Sequence, residues 1–239
     1  MIRYRAFRVF PVVGALLLVG LAACQPVAAA REITRLPAPI VDASKAHAGH
    51  SEEAVLAGGC FWGIEAVFEH VKGVHKVTAG YSGGAAATAQ YGMVSSGSTG
   101  HAESVKVEFD PAQVSYGTLL QVFFSVALNP TERNRQGPDS GSQYRSVIFY
   151  GNAEQHKIAN DYIAQLSRAK AFDAPIATQL VPLKAFYAAE DYHQHYYDLH
   201  PHNPYIAIND APKVAHLQKL FPTLYQAAHD QQFVEVDLH

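Results

Sequence analysis

The sequence predicts an α+β domain, a two-layer structure in which helices cover a mixed or antiparallel sheet. Three observations carry this. Stretches of period 2 and of period 3.6 are interspersed in unequal order along one continuous region. The segment "HAESVKVEFDP" alternates, with Val105, Val107 and Phe109 on one face and Ser104, Lys106 and Glu108 on the other. The regular strand–helix alternation of a doubly wound sheet is missing, as is any GxGxxG or phosphate-cradling loop.

Composition narrows the class. At 49% apolar and 16% charged, the 239 residues suit a soluble globular protein with enough chain to bury a core without disulfides. A net charge of −3 gives no basic bias, so nucleic acid is not an expected partner.

The first 23 residues read as a signal peptide. Arg3, Arg5 and Arg8 precede the apolar run "VFPVVGALLLVGLAA", shorter than the roughly 20 residues of a bilayer-spanning helix. Its end, "LAAC" from Leu21 to Cys24, resembles the lipobox of bacterial lipoproteins, which makes Cys24 a lipidation site. The competing cut, after "VAAA", would discard Cys24. Residues 24–51, rich in Ala and Pro, read as a tether, 52–225 as one domain and 226–239 as a tail. The expected location is the cell envelope, as a periplasm-facing lipoprotein held to the membrane only by its N-terminal lipid; a soluble secreted or periplasmic protein is the alternative.

Within the domain, "EEAVLAGG" reads as a strand leaving through a double glycine. Phe61, Ile64, Phe68 and Val71 then recur at helical spacing, which puts Cys60 at the helix start. Unpaired N–H groups there favour a thiolate and can draw a cysteine from about 8.5 into the range of about 3.5–7.5. Of the two cysteines, Cys60 is the one inside the domain. "GVHKVTAGYSGG" is a second strand with Tyr81 near its lip, and "HAESVKVEFDP" a third. If that strand starts early, Glu103 joins the apolar face as a desolvated acid; if late, Glu103 is solvated or caps a turn. "SYGTLLQVFFSVAL" is an amphipathic helix capped by Ser115, and the polar loop "NPTERNRQGPDSGSQ" leads to the strand "YRSVIFY". Asn152 caps a long helix. A short strand near Lys184–Tyr187 and a helix over Ala188–Tyr197 complete the set. His193, His195, His200 and His202 read as a titratable, partly exposed segment and not a metal site, because His193 and His195 would point to different sides of a helix.

Five segments, "GCFWG", "GYSGG", "GHAESV", "QGPDSGSQYRS" and "AEDYHQHY", resemble in order and spacing the signature segments of the A-type peptide methionine sulfoxide reductases. The resemblance covers about Leu56 to Phe221. It implies an α+β domain with a ferredoxin-like core that reduces the S epimer of methionine sulfoxide, free or within proteins. It implies further that Cys60 is the nucleophile and Glu103, in its buried reading, protonates the sulfoxide oxygen. Tyr81 and Tyr144 would hydrogen-bond that oxygen, and Asp139 would organise the site. Phe61 and Trp62 would wall a pocket for the substrate methyl, with His193 beside it. No bound cofactor is implied. The sequence has no cysteine after Cys60, resembling the branch without a resolving cysteine. An external thiol must then restore Cys60, from a thioredoxin-like or glutaredoxin-like protein or, in vitro, dithiothreitol. "ALNPT" departs from the more frequent His-Asp-Pro form, a change expected to touch loop packing. A monomer is expected. The alternatives are a single-thiol peroxidase and a non-catalytic binder of Met-rich or oxidised proteins.

Overall fold

A computed structural model describes Met1 and residues 34–43 and 50–227. Apart from Met1, the described residues belong to one compact unit. Cys24, the signal segment and the last twelve residues lie outside the described residues. Among the described residues, no helix is long and apolar enough to cross a membrane.

In chain order, β1 (Glu52–Gly58) leads to α1 (Phe61–Glu69), β2 (Val74–Ser82), α2 (Tyr91–Val94), β3 (Ala102–Phe109) and α3 (Tyr116–Val122). A small hairpin of β4 (Arg135–Gln136) and β5 (Asp139–Ser140) follows, then β6 (Ser146–Tyr150) and α4 (Ala153–Arg168). The domain closes with β7 (Gln179–Pro182), β8 (Phe186–Ala188), α5 (Tyr196–Leu199) and α6 (Ala211–Leu220). The large sheet runs β7-β6-β1-β3-β2-β8. Only the β6–β7 pair is parallel. Because α1 carries the chain past one strand position, β3 fills the gap between β1 and β2. The central order β6-β1-β3-β2, with α1 and α3 as its connections, is the ferredoxin-like core that the resemblance implies.

Phe61, Ile64, Phe68 and Val71 are all buried, so the stripe read from their spacing is the face α1 lays on the sheet. Ser115 and Asn152 cap α3 and α4 by accepting the N–H groups of Thr118 and Gln155. The strand β3 begins at Ala102, which places Glu103 on the apolar face with Val105, Val107 and Phe109. Its exposure is 2%. The early-start reading is the one the fold adopts.

Four local expectations shift. The expected helix over 115–128 is α-helical only to Val122 and continues as a wider π-turn over Phe123–Ala127. The strand β7 is additional, and the strand expected near 184–187 forms at Phe186–Ala188. The helix expected over 188–197 is instead a 3-10 turn at Asp191–His193 followed, after a left-handed His195 (φ +53), by α5. Partners distant in sequence account for the break. Gln194 bonds both the N–H and the C=O of Ala79 on β2 through its side chain, and the His195 N–H is donated to Glu65 Oε2 at 3.0 Å.

Residues 34–43 fall inside the expected tether, yet they form a strap on the domain. Leu36 is buried, its N–H donated to Ser125 Oγ and its C=O accepting from Gln121 Nε2. Tyr162 Oη donates to the Pro37 carbonyl at 2.8 Å, and Gln165 bonds both Ala38 and Ile40. Asp42 accepts the Gly117 N–H at 2.8 Å, adding a second acceptor to the first turn of α3.

Candidate active site

Cys60 follows Gly58 and Gly59, the second of which the backbone requires. Gly59 sits at φ +107, where a Cβ would also fall 2.7 Å from that of Gln136. The chain can therefore turn sharply out of β1 and present Cys60 at the N-cap of α1. Gly63, in the first turn, faces the buried Asp210, whose Oδ1 would lie 2.0 Å from any Cβ placed there.

Cys60 opens onto a cavity of about 150 Å³ walled by Phe61, Trp62, Tyr91, Glu103, Asp139, Tyr144 and Tyr205. Drug-sized ligand pockets run to roughly 300–1,000 Å³. This one suits the end of a single side chain. Glu103 Oε2 accepts the Phe61 N–H at 3.1 Å, so the strand carboxyl satisfies an orphan donor at the start of α1 and is fixed beside the thiol. Burial, with a contribution from Asp139, pushes Glu103 up to about 8 and leaves it neutral at pH 7.

The thiol runs against the sequence expectation. Trp62 N–H does stabilise a thiolate at the helix start, but desolvation and the nearby Glu103 and Asp210 outweigh it and push Cys60 well above its ordinary value. The resting site holds a neutral thiol beside a neutral carboxyl.

The aromatic wall is built in layers. Trp62 stacks on Tyr196 at 3.7 Å and 6°, meets Tyr205 edge-on at 5.9 Å, and donates its indole N–H to His193 Nδ1 at 3.2 Å. Tyr205 Oη donates to Asp139 Oδ2, which ties the β4–β5 hairpin to the segment before α6. His193 is 2% exposed and does not line the cavity. Its ring lies 4.4 Å from Tyr91 and 5.0 Å from Phe61, behind the wall. Desolvation holds it below the ordinary imidazole range, so it is a neutral acceptor that orients Trp62.

A family model described as peptide methionine sulfoxide reductase matches residues 52–224. The chain belongs to the A-type peptide methionine sulfoxide reductases. It is 58% identical over 175 residues to peptide methionine sulfoxide reductase MsrA 2 of Mesorhizobium japonicum, covering 73% of this chain and 90% of that one. With MsrA 2 of Synechocystis sp. the identity is 53% over 181 residues, covering 75% and 85%. The solved methionine sulfoxide reductase A of Corynebacterium diphtheriae superposes with a TM-score of 0.56 at 31% identity, covering 72% of this chain and 85% of that chain. Reduced Mxr1 of Saccharomyces cerevisiae superposes with a TM-score of 0.55 at 32% identity, covering 64% and 87%.

Within this reductase domain, the cavity gathers Cys60, Phe61, Trp62, Glu103, Asp139 and Tyr144, six of the eight domain residues expected in the site. The other two lie elsewhere. His193 stands behind the wall, as described. Tyr81 is opposite Glu103 in the β2–β3 register, but it is fully buried and its hydroxyl is taken by Glu190 Oε2 at 2.9 Å. In its place Tyr91, at the start of α2, joins Tyr144 and Tyr205 on the cavity wall, its N–H held by the other oxygen of the same Glu190 at 2.9 Å. Tyr205 is a second residue that sequence reading missed. Tyr91 stands in a Gly/Ala/Ser-rich stretch and Tyr205 just before a π-turn, so neither belongs to a periodic pattern.

Proposed function

We propose that the domain reduces the S epimer of methionine sulfoxide, free or in proteins, with Cys60 as nucleophile. The observation that carries this is the small aromatic-walled cavity in which a thiol and a neutral carboxyl share one opening. Phe61 and Trp62 hold the substrate methyl and exclude water, which aims the sulfoxide sulfur at Cys60. As the thiol attacks, Glu103 donates a proton to the oxygen, with Tyr91 and Tyr144 hydrogen-bonding it, and the Cys60 proton replaces the one Glu103 gave. The Sγ–S bond so formed then breaks as the hydroxyl passes to Sγ: the S–O bond is lost, the substrate sulfur regains two electrons as a thioether, and Cys60, oxidised by two electrons, carries the oxygen as sulfenic acid. Two external thiols then reduce it, giving a disulfide and water. A thioredoxin-like or glutaredoxin-like protein suits this role, because Cys60 is the only cysteine among the described residues.

Incubation with each epimer and dithiothreitol tests the reading: loss of the S epimer alone is expected, and turnover of neither epimer rejects it. Peroxide consumption without sulfoxide loss would favour the single-thiol peroxidase instead. In the same assay Tyr91→Phe should slow single-turnover reduction by roughly 10²-fold, the cost of one lost oxyanion donor. Tyr81→Phe, whose hydroxyl serves Glu190, should leave it near wild type. The reverse ranking would return Tyr81 to the site.

We also propose that Cys24 is lipidated and that the domain faces the periplasm as a monomer. The charged start, the short apolar run and the "LAAC" box support this. Mass spectrometry of the N-terminus from the membrane fraction should find fatty acid on Cys24. A soluble product starting at Arg31 would reject it.

A further inference from the structure

One turn beyond the reactive cysteine, α1 carries two carboxylates on the same stripe, Glu65 and Glu69, four residues apart. The left-handed His195 faces them across the groove between α1 and the segment before α5. Each residue offers one ligand atom, and the three atoms lie within 4.8 Å of one another. The arrangement is built. Glu65 Oε2 accepts the His195 N–H at 3.0 Å, and His195 Nδ1 lies 2.5 Å from Glu69 Oε1. Each carboxylate nevertheless keeps one buried oxygen with no partner, Glu65 Oε1 and Glu69 Oε2. Glu65 is fully buried and the Glu69 side chain is 8% exposed.

Two buried acceptors without donors, at one small convergence, are costly unless something positive sits between them. The one basic group there is the His195 imidazole, paired with Glu69 Oε1, and no lysine or arginine reaches either carboxylate among the salt bridges of the described residues, so two carboxyl groups face a single imidazole. We propose that Glu65, Glu69 and His195 form a binding site for one divalent transition-metal cation of the zinc or cobalt type, separate from the cavity at Cys60. Two carboxylate oxygens and one imidazole nitrogen are a donor set such ions take, and harder ions such as Mg²⁺ favour all-oxygen shells. The side chain of His195 is 25% exposed, which gives an entry path and room for a water to complete the shell. Zinc–nitrogen and zinc–oxygen bonds of about 2.0–2.2 Å in a tetrahedral shell set ligand atoms about 3.4 Å apart, so the His195–Glu69 pair must open and the wider separations close by rotamer adjustment.

The site has a built-in reporter. His195 is followed by Tyr196, which stacks on Trp62, the only tryptophan in the sequence. Cation binding at His195 should therefore change Trp62 fluorescence.

The experiment titrates chelator-stripped protein with Co²⁺, and in parallel with Zn²⁺, following Trp62 fluorescence and visible Co²⁺ absorption. It is run on the Cys60→Ser variant so that the thiol cannot supply the signal. One ion per chain is expected. Glu69→Gln and His195→Asn should each weaken binding by a factor on the order of 100 or more, while His200→Gln, an exposed neighbour, should not. Zinc-edge absorption spectroscopy of the loaded Cys60→Ser protein should show oxygen and nitrogen ligands, and needs no further substitution. Absence of stoichiometric binding at 100 times the protein concentration would overturn the proposal. So would binding unchanged in folded Glu69→Gln and His195→Asn proteins, or a shell with more than one imidazole, which would place the ion on the other histidines.

Discussion

Replacing Cys60 with serine is expected to abolish reduction of the S-sulfoxide, with a loss on the order of 10⁴-fold or more. The hydroxyl is nearly isosteric with the thiol and leaves the wall of Phe61, Trp62 and Tyr144 in place, so substrate should still bind. What disappears is the atom that can take oxygen as a sulfenic acid and give it up again to thiols. In hydrolytic enzymes, loss of a nucleophile removes almost all of the rate that its partners help to supply, and the same dependence is expected here. Single-turnover loss of the S epimer, followed beside a binding measurement, checks this. Surviving turnover would mean that dithiothreitol or another group does the chemistry and that Cys60 is only buried.

The second large effect concerns Glu103. Substitution by glutamine keeps an oxygen for the Phe61 N–H, so α1 should start as before and the fold should hold. It removes the proton, and the reductive step should slow by about 10²–10⁴-fold, the range of general acid catalysis. The pH dependence separates this from a structural defect. Desolvation raises Glu103 to about 8, so its donor form dominates below that value and is lost above it. The wild-type single-turnover rate should therefore fall as pH rises through about 8, and the glutamine variant should lack that limb. A variant with wild-type rate and an unchanged profile would remove Glu103 from the mechanism. The same shift bears on stability: unfolded, the carboxyl titrates near its ordinary 4.5. Between 4.5 and about 8 the folded protein holds a proton that the unfolded chain releases, so this group's contribution weakens as pH rises through that window.

The parts of the fold written in short-range periods were legible. The spacing of Phe61, Ile64 and Phe68 gives α1, and the alternation from Val105 to Phe109 gives β3. The register of β3 was legible only to within its start, and that start decided whether Glu103 was buried. What sequence could not show is set by partners far along the chain. Glu190 captures the Tyr81 hydroxyl and the Tyr91 N–H together, from positions 109 and 99 residues away, and so decides which tyrosine serves the cavity. The thiol follows the same logic. A helix N-terminus is visible locally and argues for a low value, whereas the burial, Glu103 and Asp210 that win are assembled only by folding. The break at His195 is another case, since Glu65 on α1 accepts the His195 N–H and the Gln194 side chain binds Ala79 on β2, pairings that no local pattern shows.

The strap at residues 34–43 changes how force would travel through the molecule. It is fastened to α3 and α4 through Leu36, Pro37, Ala38, Ile40 and Asp42, on helices that carry none of the residues around the cavity. A pull on the chain upstream of Thr34 would load those helical contacts before it reached β1. The sheet that holds Glu103 against Cys60 would thus be mechanically isolated from whatever restrains the N-terminus.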